Sequence, residues 1–356
     1  MRSKQSLIER SSCFSRDVRE KIFQLWRRCT VPAVKHRSRP LFHQIEYLED
    51  RTLLTAAFSD FVDPNPSANN GFGDTVVALS TGNVVITSPY ADVGGTDTGA
   101  VYLFNGATGV LISTLTGSTD NDNVGRDGVT ALTNGNYLVN SALWDNGAAT
   151  NAGAVTFGDG TTGVSGIVSD TNSLVGSTAN DQVGQGDDVT GLMNGNYVVR
   201  SQYWDNDSVS DAGAVTFGNG TTGVSGEISV ANSLIGSTAS DQVGSGGVTA
   251  LTNGHYVVGS SSWDNGNVTN VGAVTFGDGT TGVKGLVSAA NSLLGSVASD
   301  EVGSGGVTAL TNGNYVVGSS SWDSGNVTNV GAVTFGDGTT GVSGVVSAAN
   351  SLVGST

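Results

Sequence analysis

Residues 248–258 of this chain read VTALTNGHYVV, two β-prone runs on either side of an Asn-Gly pair. Such a pair is the strongest short hairpin signal, because both central positions of its turn require positive φ. Residues 272–277 read GAVTFG, in which the large Val274 and Phe276 point to one face and the small Ala273 to the other. This period of two predicts strands. A face with large side chains can pack on a face with small ones, which suits sheets stacked on one another.

The same pattern recurs along the chain. Four tryptophans are spaced 60, 59 and 59 residues apart, namely Trp144, Trp204, Trp263 and Trp322. Five units, with the first more diverged, start near Val76, Val129, Val189, Val248 and Val307. A repeated unit is one supersecondary block that must stack to bury its faces. About four short strands per unit and no convincing helix predict an all-β fold, a β-propeller of about five four-stranded blades. A right-handed β-helix is the main alternative.

Composition and charge narrow the class of protein. The 356 residues include 53 Gly and are only 13% charged, which excludes a coiled coil. Twelve of 15 Lys+Arg and six of 31 acids lie at or before Arg51, so the first 51 residues carry +6 and the remainder −22. A body of that charge repels phosphate backbones, so we expect no nucleic-acid partner. The sequence also lacks an apolar run of about 18 residues, so we expect no membrane span in the body.

The basic segment 1–57 is interpreted as a leader with an export signal, followed by a linker at 58–71 and the repeats at 72–356. Residues 48–56 read LEDRTLLTA and resemble the LExRxLL(S/T)A signature that opens planctomycete-type extracellular proteins. The resemblance implies export, an extracellular or cell-surface location and processing near Ala56 or Ala57. The alternative is a helix end capped by acids and arginine. Both cysteines, Cys13 and Cys29, lie in this leader, so a processed body has no disulfide.

The first unit carries a family likeness. Phe72-Gly73, a Ser88-Pro89 step and GAVYLF at 99–104 resemble the FG-GAP repeat, the blade unit of the integrin α-chain propeller. Later units keep a worn version, such as DQVG at 241–244. The resemblance implies a secreted or surface propeller that acts in adhesion or recognition, with calcium in some blades.

Calcium is only weakly supported by the residues themselves. The family places Asp-x-Asp/Asn-x-Asp-Gly in the first hairpin, whereas residues 252–255 read TNGH and have no carboxylate. The remaining weak candidates are Asp241, Asp264 and Asp278. Each lies beside Gly, Asn or Ser, where Asx turns also need such side chains. One carboxylate per loop falls short of the six to eight oxygens that calcium takes, so we expect no metal and no other cofactor.

Catalytic groups are scarce after the leader, which leaves one histidine, His255, and no cysteine. Residues 247–297 and 306–356 differ at six of 51 positions, and one difference replaces His255 with Asn314. A catalytic imidazole would not alternate with Asn in a near-copy of itself, so the sequence predicts a protein that is not an enzyme and has no catalytic residues.

The Trp-Asp pairs are the ligand-binding candidates, because an exposed Trp beside a carboxylate can stack on a sugar and bond its hydroxyls. The favoured alternative packs the Trp between blades while the Asp caps the next loop. The pairs are Trp144-Asp145, Trp204-Asp205, Trp263-Asp264 and Trp322-Asp323.

The expected function is that of an extracellular or cell-surface adhesion or recognition protein, whose repeated loops bind a surface glycan or an extracellular protein multivalently. Two alternatives stay open: a secreted carbohydrate-binding module or accessory domain of a glycan-active enzyme, and a structural component of the cell envelope.

Overall fold

The computed structural model describes residues 60–354, which fall within one compact unit. This part of the chain is all-β, contains no helix, and forms five repeats, each built on a sheet of four or five strands. The predicted all-β class and the five tandem units are therefore confirmed. The leader at 1–57 and the start of the linker lie outside the described residues.

The strands are numbered in chain order. The first unit contains β1 (Val76–Ala78), β2 (Asn83–Ser88), β3 (Ala100–Asn105) and β4 (Leu111–Thr116). The second contains β5 (Val129–Ala131), β6 (Tyr137–Ser141), β7 (Ala154–Gly158), β8 (Gly166–Ile167) and β9 (Ser173–Val175). The third contains β10 (Val189–Gly191), β11 (Tyr197–Ser201), β12 (Ala214–Gly218), β13 (Gly226–Glu227) and β14 (Ser233–Ile235). The fourth contains β15 (Gly247–Ala250), β16 (Tyr256–Ser260), β17 (Ala273–Gly277), β18 (Gly285–Leu286) and β19 (Ser292–Leu294). The fifth contains β20 (Val307–Ala309), β21 (Tyr315–Ser319), β22 (Ala332–Gly336), β23 (Gly344–Val345) and β24 (Ser351–Val353).

Each of the first four sheets combines an antiparallel meander from one unit with a short strand from the next. The two-residue strand of a unit leaves its own sheet and pairs in parallel with the last strand of the unit before it, as β8 does with β4, β13 with β9, β18 with β14 and β23 with β19. The first strands of consecutive units lie side by side. Within residues 60–354, no strand pairing joins the fifth sheet to the first.

The Asn-Gly hairpin is present, but its predicted turn geometry is wrong. Only Gly254 has a positive φ, at 90°, whereas Asn253 does not. The N–H of Gly254 bonds the Leu251 carbonyl, which gives the turn followed by a left-handed glycine that is common in longer hairpin loops. Asn253 is used for its side chain instead: Nδ2 donates to the carbonyl of Gly338 in the next unit at 2.6 Å.

Alternation along the third strand of each unit places its side chains against two neighbours. Val274 and Phe276 pack on the fifth unit, and Ala273 packs on the third, as the large-and-small pattern predicts. We name the face toward the following unit the outgoing face and the face toward the preceding unit the incoming face. Between the second and third units, the outgoing face contributes Leu132, Leu138, Val155 and Leu174, and the incoming face contributes Tyr197, Val199, Trp204, Ala214 and Ile228.

The first unit departs from the others on its incoming face. In the fourth unit Tyr256 stands opposite Gly277, and any side chain at Gly277 would collide with the tyrosine ring. In the first unit the bulky residue has changed strands, so that Phe104 stands opposite Val84. Phe61 and Phe72, from the segment before β1, then pack on the exchanged ring with centroid separations of 5.5 and 6.3 Å. The incoming face of the first unit is therefore covered.

Glycine notches receive the outgoing phenylalanines. Gly282 has a φ of +75° and lies so close to Phe217 of the preceding unit that a Cβ on the glycine would be 2.5 Å from the phenylalanine Cβ. Gly223 receives Phe157 and Gly341 receives Phe276 in the same way. The notch lets two sheets approach at the edge of the interface.

We expect Gly282→Ala to lower the free energy of unfolding by about 2–4 kcal/mol, since it adds left-handed strain to a steric overlap. Urea unfolding measures it. Gly285→Ala is the matched control, because Gly285 has a φ of +98° but no atom near its Cβ position. Equal losses in the two variants would mean that the contact with Phe217 contributes nothing.

Candidate functional site

The four tryptophans lie inside the molecule, three residues after the second strand of the second, third, fourth and fifth units. Trp263 is 4% exposed, and the other three are between 3% and 6% exposed. Trp263 belongs to the incoming face of the fourth unit and clusters with Leu192 and Val198 of the third. Each indole N–H is buried without a hydrogen-bond acceptor, so the ring is held here by its apolar surface. These rings present no open face for a sugar, and ligand binding at the pairs stays a prediction.

The aspartates that follow the tryptophans close a loop. Asp264 Oδ1 accepts the N–H of Asn270 at 2.7 Å, across the base of residues 265–269. Asn265 and Val268 exchange backbone hydrogen bonds of 2.9 and 3.1 Å, which makes the loop a two-residue hairpin with Gly266 at positive φ. Equivalent bonds to the aspartate are made at Asp145, Asp205 and Asp323.

A second, buried aspartate holds this loop to the linker between units. Asp241 is fully buried, and its Oδ1 accepts the N–H of Asp264 at 2.9 Å. Its Oδ2 accepts the N–H groups of Ser237 and Thr238 at 2.7 and 2.8 Å. Burial raises the pKa of Asp241, and the three donors oppose this shift by stabilising the ionised form. The equivalent residues are Asp122, Asp181 and Asp300.

Sequence reasoning missed these linker aspartates except for Asp241, which it weighed as a metal ligand or as an Asx-turn residue. The available signal is their spacing. Each precedes the Asp of the following Trp-Asp pair by 23 residues, or by 24 in the case of Asp181. A constant spacing between two acids in a charge-poor repeat indicates a shared structural task.

The result is one exposed loop, repeated four times with the same support. We name residues 146–150, 206–210, 265–269 and 324–328 the rim loops. Each connects the second and third strands of its unit, so all four lie at the corresponding end of their sheets. In the fourth and fifth units the loops are exposed throughout, and Val268 and Val327 are 37% and 39% exposed.

The three weak calcium candidates do not form one site. Asp278 follows β17, so it lies at the opposite end of the sheet from Asp264. Both oxygens of Asp241 face N–H donors, whose positive ends would repel a cation. No group of three or more His, Cys, Asp or Glu side chains suited to a metal occurs among residues 60–354. The donor set therefore does not fit calcium.

Asp278 instead caps a turn. Its Oδ1 accepts the N–H groups of Thr280 and Thr281 at 2.7 and 3.0 Å, and the Thr280 hydroxyl as well. These bonds, led by that of the hydroxyl, lower the pKa of Asp278 to about 2. In the third unit a neutral residue, Asn219, accepts the equivalent bonds. The turn requires an oxygen acceptor and not a charge.

His255 performs the task of an asparagine. Its Nδ1 accepts the N–H of Gly279 at 2.9 Å, and in the fifth unit Asn314 Oδ1 accepts the N–H of Gly338 at the same distance. This shared bond explains how the two residue types alternate at one position.

One protein-family model matches most of the residues of each unit. The family described as "Repeat of unknown function (DUF5650)" matches residues 78–126, 131–185, 191–245, 250–304 and 309–356, together more than half of the chain. The chain belongs to this family. The five matches begin within or just after the first strand of each unit, so one DUF5650 repeat corresponds to one sheet-forming unit. No curated protein matches the chain.

We expect Trp263→Ala in the fourth DUF5650 unit to lower the free energy of unfolding by about 3–5 kcal/mol, because it empties an interior position between two units. The melting temperature measures the loss, with Val268→Ala in the exposed rim loop as the control. If Trp263→Ala left the melting temperature unchanged but abolished binding to printed sugars, the tryptophan would instead be an exposed sugar-binding residue.

We expect the melting temperature to be the same in calcium and in chelator. The candidate carboxylates already accept N–H bonds, which calcium would have to displace. Asp278→Asn, which copies the natural Asn219, should leave both melting curves unchanged at neutral pH. A rise of several degrees in calcium would contradict this expectation.

Proposed function

We propose that this protein is an extracellular or cell-surface recognition protein that binds a surface glycan or an extracellular protein and catalyses no reaction. The observation that carries this proposal is the set of four rim loops. Equivalent residues support each loop at the same end of its sheet, and the two loops of the fourth and fifth units are exposed throughout. Repeated, rigidly held loops suit multivalent binding, in which several weak contacts combine into a strong one.

The outward location rests on the resemblance of residues 48–56 to an export signature. The residues of that signature lie outside the described part of the chain. Within residues 60–354 there is no helix that could cross a membrane.

We further propose that the five sheets are arranged as blades of a propeller-like array. The adjacent first strands and the FG-GAP resemblance of the first unit support this arrangement. In such an array the rim loops lie on one rim, so that a single ligand surface can contact several of them.

The test measures the binding of the full chain to printed surface glycans and to immobilised extracellular proteins, with each ligand at two surface densities. We expect binding that rises steeply with density, because it depends on several loops at once. The double variant Val268→Asp and Val327→Asp alters two rim loops and should reduce binding by more than tenfold.

The matched control is Ile167→Asp with Leu286→Asp, which alters two exposed residues on the short strands β8 and β18. Its binding should equal that of the natural chain. Equal binding by the rim-loop variant would contradict the role of the loops, and release of cleaved sugars from the surface would contradict a role without catalysis.

A further inference from the structure

The outgoing face of the fifth unit is exposed, although the same face is buried in the units before it. Val333 is 45% and Leu352 is 80% exposed, whereas their counterparts in the fourth unit, Val274 and Leu293, are 1% and 0% exposed. Phe335 is 56% exposed. Its counterparts Phe157, Phe217 and Phe276 all pack against a following unit. An apolar face of this kind marks an interaction site.

The polar groups around this face also lack the partners that their equivalents have. β24 is the only last strand of a unit without a parallel two-residue strand beside it in the described residues. The side chains of Asn134, Asn194 and Asn253 each donate to a glycine carbonyl of the next unit, at 2.6 Å in all three cases. Asn312 occupies the same position in the fifth unit, where its Oδ1 accepts the N–H of Asn314 but its Nδ2 donates to no carbonyl within residues 60–354.

The shape of the face specifies what covers it. An outgoing phenylalanine fits a glycine notch, as Phe276 fits Gly341, and an outgoing asparagine fits a glycine carbonyl on the same turn, as Asn253 fits Gly338. Both features belong to the incoming face of a repeat unit. A second outgoing face has neither of them, since it presents another phenylalanine and another asparagine.

A second copy of this chain does not offer a free incoming face either. Among residues 60–354 the first unit is the only one without a preceding unit, and there Phe61 and Phe72 cover the face. Phe61 and Phe104 pack edge to face at 5.5 Å, an arrangement that aromatic pairs prefer.

We propose that the outgoing face of the fifth unit is an assembly face that binds one further unit of this repeat, docked in the register of the four internal interfaces. The partner is a repeat unit with an uncovered incoming face of Tyr, Trp, Val and Ala side chains. It places a glycine notch over Phe335, a glycine carbonyl at Asn312 and a two-residue parallel strand along β24. The proposal is independent of what the rim loops bind.

The experiment supplies such a unit directly. A copy of residues 298–356, one full period, is appended after Thr356, so that Ser355-Thr356 continues into Ala-Ser-Asp as Ser237-Thr238 does in the natural chain. We expect the appended unit to resist limited proteolysis and the extended chain to melt several degrees higher, because each repeat is stabilised by its neighbour.

Phe335→Ala tests the contact itself. In the natural chain this substitution should barely change the melting temperature, since the Phe335 ring faces solvent. In the extended chain it should lower the melting temperature by several degrees, because the appended unit covers the ring. Phe276→Ala is the matched control and should lower the melting temperature in both chains, because this ring is already covered by the fifth unit.

Two results would overturn the proposal. One is a protease-sensitive appended unit together with an equal effect of Phe335→Ala in both chains. The other is a natural chain that sediments as a dimer and becomes monomeric on Phe335→Asp, which would assign the face to a second copy of this chain.

Discussion

The structure depends on one interaction, the apolar contact between the outgoing face of a unit and the incoming face of the next. Four of the five buried clusters draw their side chains from two consecutive units. A single unit has a thin sheet and no core of its own, so burial of its faces requires neighbours on both sides. Sheet order, linker path and loop position all follow from this contact. From the second unit onward they return the chain to the same stacking arrangement every 59 or 60 residues.

The buried aspartates accept backbone N–H groups that the stacked sheets leave unpaired. Each linker between units carries backbone N–H groups that the strands leave unpaired, and such a donor costs free energy wherever it is shielded from water. The buried aspartates accept these N–H groups and connect them to the next loop. Four buried acids of the repeats, Asp122, Asp181, Asp241 and Asp300, therefore have a structural task. The turns use Asp278 and Asn219 interchangeably for the same reason.

The sequence was sufficient to predict the strands and the repeats, but not the contacts between one unit and the next. The alternation around Val274 and Phe276 predicted strands and their two faces. The tryptophan spacing predicted the period of four units, and the pattern from Val76 added the diverged first unit. The two-residue strand Gly166–Ile167 could not be predicted, because it is too short to show a period and pairs with another unit. The turn at Asn253 was misjudged, since the asparagine is selected by a carbonyl of the next unit and not by its own φ. The Trp-Asp motif allowed both an exposed and a buried ring, and only the stacking of units distinguishes them.

The exchange of Tyr and Gly for Val and Phe in the first unit has a consequence for how such a chain evolves. The first unit has a fixed identity, because its ring is matched to Phe61 and Phe72. The later units share one set of contact residues, so any of them can follow any other. Because stretches 247–297 and 306–356 are nearly identical, the gain or loss of one whole period there would leave the same contact residues at the new junction. The number of rim loops can thereby change in whole units, while each new junction repeats the contacts of the existing ones.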